Sequence, residues 1–237
     1  SFIFLVGASE TASHELLDSI KTELECNERL LEDFPEVVFP IAKLSGISNR
    51  ANGQLYRGIR TRISWTATEI VLPTIADSPA SGSIIRCAGI TGRIRGTKHT
   101  LADGRSIRPN LVVLDDCQTT ESAYSVEQTR KRLAILQSDI LGLAGPKRKI
   151  AGIMPCTVIK KGDLADQILN PKKAPEWQGE RCKLCYSFPL NTELWERYEA
   201  IRADSLRSTG TIKEATEFYK AHQKEMDAGI HPASISF

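Results

Sequence analysis

Arg108-Pro109-Asn110-Leu111-Val112-Val113-Leu114-Asp115-Asp116 is an apolar run closed by two adjacent carboxylates. Four consecutive Leu and Val residues suit a central parallel strand, buried on both faces. Ligands of open α/β sheets gather just past the carboxyl ends of such strands. Two acids there can divide the labour, Asp115 holding magnesium and Asp116 positioning or activating an attacking water. An Asp pair after a strand also simply makes a turn or caps the next helix, so the pattern needs company. The matching phosphate cradle, G-x-x-x-x-G-K-[ST], appears nowhere in the 237 residues.

Working outward, short apolar segments alternate with helical patterns. Phe2 to Val6 reads as a strand, Gly7-Ala8-Ser9 as its turn, and Thr11 to Cys26 as a helix with Ala12, Leu16, Ile20 and Leu24 on one face. Val37 to Ile41 reads as a short edge strand interrupted by Pro40. Residues 45 to 58 form a loop, and Arg60 to Leu72 and Ser83 to Ala88 read as strands. A glycine- and arginine-rich loop, 90 to 110, precedes the acid-tipped strand. Downstream come a long helix from Ser125 to Leu143 stopped by Gly145-Pro146, a strand at Ile150 to Met154, and a helix capped by Asp163. Lys183 to Phe188 is a further strand, and helices at Thr192 to Arg207 and Ile212 to Ala228 close the chain. This alternation predicts an α/β protein, a mostly parallel sheet with helices on both faces.

Composition excludes several classes. Hydrophobic content of 41% and charged content of 25% are those of an ordinary globular chain. A net charge of +2 means that any nucleic-acid contact rests on local patches. No apolar run approaches a membrane span, and no signal peptide opens the sequence. Six cysteines, at 26, 87, 117, 156, 182 and 185, read as reduced thiols. Because Ser1 leads straight into a strand and the end is equally abrupt, the chain is expected to be a piece of a longer protein.

Other constellations surround the acid pair. In Gly92-Arg93-Ile94-Arg95-Gly96-Thr97, glycines permit close backbone approach and arginines can clamp phosphate, although a basic surface loop has the same composition. The strand ending at Met154 continues into Pro155-Cys156-Thr157. A hydroxyl there, beside the acid-tipped strand, can sense a γ-phosphate, or be no more than a strand-end Thr. Cys182-x-x-Cys185 lacks the second ligand pair that a structural zinc needs and is read as structural. The four histidines show no metal spacing, and no G-x-S-x-G elbow is present. Lys147-Arg148-Lys149, Lys160-Lys161 and Lys172-Lys173 can touch a phosphate backbone or simply be solvated.

Taken together, these segments resemble the ATPase region of a bacteriophage large terminase, the motor that packages DNA. The resemblance rests on Leu5-Val6-Gly7-Ala8-Ser9 with its helix, Ile94-Arg95-Gly96-Thr97 and the edge from Arg108 to Asp116. The helix bearing Glu121, Ser125 and Gln128, and Pro155-Cys156-Thr157 with Asp163-Leu164-Ala165, complete it. It implies a P-loop NTPase-like fold of the ASCE type with Mg and ATP as cofactors. Asp115 would be the Walker B magnesium ligand, Asp116 the catalytic carboxylate, Thr157 part of the coupling motif, and Arg95 a contact to phosphate or to a neighbouring subunit. Family members commonly carry Glu at the Asp116 position, one methylene longer.

The implied partners are double-stranded DNA, the small terminase subunit, the portal protein and further copies in a homo-oligomeric ring, in the host-cell cytoplasm. The resemblance divides the chain into an ATPase core truncated at its N-terminus, 1–190, and a helical segment, 191–237, leading toward a nuclease domain. Without the Walker A segment, the fragment alone is expected to hydrolyse ATP poorly or not at all. The rival readings are a helicase-like or restriction-type DNA translocase and a non-catalytic interaction module.

Overall fold

The computed structural model describes residues 1–101, 103–183 and 185–232. Ala102 in the expected 90–110 loop, Leu184 in the expected 183–188 strand, and 233–237 at the chain end lie outside the described residues. The chain forms two compact units, Ser1–Gln178 and Gly179–Phe237.

In the first unit, strand β1 (Phe2–Gly7) is followed by helices α1 (Glu10–Cys26), α2 (Glu28–Asp33) and α3 (Pro35–Ala42). Five strands follow: β2 (Leu55–Tyr56), β3 (Ile59–Arg60), β4 (Ser64–Trp65), β5 (Glu69–Val71) and β6 (Ile84–Gly89). β7 (His99–Thr100) and β8 (Ser106–Ile107) pair with each other before β9 (Leu111–Leu114). α4 (Thr120–Tyr124) and α5 (Val126–Ile135) run into a π-helical turn at Leu136–Ile140, then come β10 (Ala151–Ile153) and α6 (Leu164–Ile168). The second unit holds β11 (Cys185–Ser187), α7 (Thr192–Ser208), α8 (Lys213–Met226) and β12 (His231–Pro232).

The protein is α/β. Its main sheet has six strands in the order β10-β9-β1-β6-β5-β4. β10, β9, β1 and β6 are parallel to one another, and β5 and β4 extend the sheet antiparallel. The uninterrupted apolar run of β1 puts alternate side chains on opposite faces. Phe4 and Val6 join Val112, Leu114, Leu136, Ile140 and Leu164 in one core. Leu5 joins Leu17, Val37, Val38, Ile41 and Ile70 in the other. Helices therefore cover both faces of the central strands, as a parallel sheet requires.

The structure corrects three local expectations. Val37 to Ile41 is helical, not an edge strand. Val37, Val38, Ile41 and Leu44 recur at helical spacing and are all buried against the sheet, and Pro35 suits the first turn. That packing overrides the β-branched pair and the lost hydrogen bond at Pro40. The expected strand from Arg60 to Leu72 is broken: Arg62 adopts a left-handed φ of 53°, and Thr66 turns back onto Glu69, making β4 and β5 a hairpin. The expected helix from about Ser125 to Leu143 departs from expectation at its far end. Ser125 is extended, closing α4 and capping α5 through the Gln128 amide at 3.3 Å, and the far end winds into the π turn.

In the second unit, Trp195, Tyr198 and Tyr219 pack ring against ring between α7 and α8, with centroids 5.7 to 6.4 Å apart. No helix among the described residues is long and apolar enough to cross a membrane.

Candidate functional site at the carboxyl edge of the sheet

β1 and β9 end side by side, with Val6 paired to Leu114. Asn110 fixes the other end of the pair: its side-chain oxygen accepts from the Phe2 amide at 2.8 Å and its own amide donates to Phe2. At the carboxyl ends, α1 comes in close. A Cβ on Gly7 would lie 2.8 Å from the Ser13 nitrogen, and one on Gly89 2.4 Å from that of Glu10. Glycine at these two strand ends lets the helix N-terminus, capped by Ser9, sit directly on the sheet edge.

The acid pair emerges there. The Asp115 amide still belongs to the sheet, donating to Val6 at 2.9 Å. Asp116 is exposed and has a φ of 42°, in the left-handed region that costs a residue with a Cβ about 1 kcal/mol or more. Its amide donates to Pro155 at 3.3 Å, and its carboxylate accepts from the Thr157 amide at 3.4 Å. Asp116 and Thr157, read separately from the sequence, are thus brought together by the β9–β10 pairing. A cleft of about 360 Å³ opens between α1 and the pair, lined by Ala8, Glu15, Leu16, Asp115, Asp116 and Gln118 among others. Clefts of about 460 and 520 Å³ elsewhere join no adjacent carboxylates at a strand end.

Arg95 is not brought to this edge through any described contact. It is exposed, and its Nε donates to Asp139 on the π turn at 2.6 Å. Burial opposes ionisation of Asp139, but hydrogen bonds from Ser138 and Arg95 outweigh it and hold the carboxyl below its ordinary range.

Gln118 and Arg132, at the same edge, were not among the residues that the sequence singled out. Gln118 is buried; its Nε2 donates to the Thr157 carbonyl at 2.8 Å and to Asp163 Oδ2 at 3.0 Å, and its Oε1 accepts from the Leu164 amide at 3.0 Å. Asp163, fully buried, also accepts from the amides of Ile159, Lys160 and Asp166. Together they staple the loop after β10 to the end of β9. Arg132 on α5 donates from Nη1 to the carbonyls of Cys117 at 2.7 Å and Ala8 at 3.2 Å, tying the ends of β9 and β1. Its burial lowers its pKa from the ordinary value. The only hint in the sequence was a polar pair, Thr129 and Arg132, at helical spacing on an inward face.

Cys117 is fully buried between these groups. Burial, with smaller contributions from Asp115, Cys156 and Asp116, outweighs Arg132 and pushes its thiol up to about 12. Cys156 is likewise raised, by burial first and then by Asp116 and Asp163. Cys182 and Cys185 are free thiols, and no group of three or more His, Cys, Asp or Glu gathers for a metal among the described residues. The basic clusters at 147–149, 160–161 and 172–173 are exposed, with the Lys160 amine 5.1 Å from the Tyr124 ring. No known family profile matches the sequence, and no curated protein matches it significantly.

Proposed function

We propose that this chain is part of the ATPase motor of a phage large terminase, coupling Mg-ATP hydrolysis to translocation of double-stranded DNA. The observation that carries the reading is the pairing of Asp115-Asp116, at the carboxyl end of a central parallel strand, with Thr157 at the end of the neighbouring strand. In open parallel sheets this edge is where phosphates and their metal are handled. The order β10-β9-β1, parallel throughout, is compatible with a P-loop NTPase-like core. Among the described residues β10 ends the sheet and its three residues are exposed, which leaves room for a further strand–loop–helix to supply a phosphate cradle.

The donors fit magnesium. Both carboxylates are free of ion pairs among the described residues, and magnesium typically takes one or two protein carboxylates and completes its shell with water and substrate phosphates. Asp115 would hold it; when bound, the ion neutralises charge on the phosphates. Asp116, exposed and aimed by a strained backbone, orients the attacking water and accepts its proton. Because the Asp116 carboxylate touches the Thr157 amide, a change at the acid shifts the 155–163 loop. The Gln118–Asp163 staple passes that shift to α6.

The test is ATP hydrolysis by the gene product containing these residues, with and without duplex DNA, beside Asp116→Asn. Hydrolysis stimulated by DNA and reduced at least about 100-fold in the variant is expected. Turnover unaffected by Asp116→Asn would place the catalytic carboxylate elsewhere, and no turnover at all would sink the motor reading.

A further inference from the structure

From Lys43 to Thr68 the chain carries five basic residues and no acidic one: Lys43, Arg50, Arg57, Arg60 and Arg62. With a net charge of only +2 overall, the rest of the chain is net negative. All five are exposed, and none forms an ion pair among the described residues. Glu36 and Asp77 line a cleft with Arg57, Glu36 accepting from the Ser78 hydroxyl, and Asp103, which shares a cleft with Arg62, is held by Arg105.

The segment is built to present charge. β2 and β3 form a hairpin whose two-residue turn, Arg57-Gly58, has positive φ at both positions, 50° and 79°. This is the turn that matches the twist of a narrow two-stranded ribbon. Its base is fixed: Gln54 donates to the Pro40 carbonyl at 2.6 Å, Thr61 donates to Gln54 at 2.9 Å, and Tyr56 packs on Phe39. The Arg57 guanidinium lies over the Tyr56 ring, 5.3 Å from its centre, which holds the cation at the tip.

We infer that this hairpin is a nucleic-acid contact that grips the phosphate backbone of a duplex. Arginines suit bidentate phosphate contacts, and a two-stranded ribbon fits a DNA major groove. A lipid surface fits less well, because the two large exposed hydrophobes lie on opposite sides of the ribbon, Leu55 beside Arg60 and Ile59 beside Tyr56, so no side gathers more than one of them. Duplex DNA as the ligand rests on the motor reading; the placement of the contact does not, and it lies outside the basic clusters at 147–149, 160–161 and 172–173.

The experiment is fluorescence anisotropy of a labelled duplex of about 30 base pairs, three helical turns, titrated with the whole gene product over a range of salt. Arg57→Gln/Arg60→Gln/Arg62→Gln is compared with the matching Lys triple and with Lys147→Gln/Arg148→Gln/Lys149→Gln. Unchanged circular dichroism and melting confirm that each variant folds. The Gln triple is expected to flatten the slope of log K against log salt by about 2 to 3, near 0.9 for each phosphate left without its cation, while the Lys triple keeps it. An unchanged slope, a loss carried wholly by the 147–149 variant, or a wild-type protein that binds phosphatidylserine vesicles but not duplex would overturn the inference. Hairpin-dependent binding without ATP hydrolysis would remove the motor reading and leave the hairpin's role standing. Hydrolysis with hairpin-independent binding would do the reverse.

Discussion

At residue scale, Asp116 is held where its backbone prefers glycine. The strain gives a differential test. Asp116→Gly should be more stable than Asp116→Ala by about 1 kcal/mol, because only the former relieves the left-handed φ. Both should abolish hydrolysis if the carboxylate acts on water; equal melting temperatures would deny the strain. Gln118 makes the opposite prediction. Removing its amide leaves the Leu164 N–H buried without a partner, so Gln118→Leu should cost about 1 to 3 kcal/mol in chemical denaturation.

Cys117 links the same edge to pH. Its folded pKa, about 12, lies above the ordinary 9.0, so the fold favours the neutral thiol. That stability is fully present below pH 9 and is lost as pH rises from 9 towards 12, by up to about 1.4 kcal/mol per pH unit. Cys117→Ala should therefore show a shallower alkaline loss in urea midpoints than the parent protein. Parallel curves would mean that the thiol titrates at its ordinary value.

At element scale, much of the sheet was legible because β1, β6, β9 and β10 announce themselves as short apolar runs bounded by glycine, proline or acid. The parallel pairing of β1 with β6 and of β9 with β10 also follows from the helices between them, whereas β6 reaches β9 through the 90–110 segment with no helix. α3 was not legible: Val37, Val38 and Pro40 carry strand and edge signals, and only burial against the sheet shows why they coil. The strand-end acids and Thr157 could be read because strand ends are visible in sequence. Gln118 and Arg132 could not, since their partners are backbone carbonyls and amides that only the fold brings near. β10 adds an element-level prediction. Ile153 is 58% exposed on a parallel strand that has no outer neighbour among the described residues, a template for pairing with another strand. Ile153→Lys should leave the melting temperature nearly unchanged while reducing self-association in light scattering, and unchanged scattering would show that the edge is inert.

At the scale of the whole molecule, the two units differ in how much they bury. Ser1–Gln178 encloses two apolar cores, one on each face of its sheet. In the second unit the fully buried side chains among the described residues are Ser205, Ala215 and Met226, around an aromatic cluster that is only partly covered. So small a core supplies few kilocalories against the entropy of ordering the chain. Between the units, 178–183 is exposed and has no regular structure. Trypsin should therefore cut first at Arg181 or Lys183, releasing pieces of about 20 and 6 kDa, since exposed backbone without helix or strand is the first to enter a protease. Calorimetry should show the smaller unit melting before the larger, and cleavage should leave the larger transition in place. A single cooperative melt, with 178–183 protected from trypsin, would instead mean that the sparse core of α7 and α8 draws its stability from the rest of the chain.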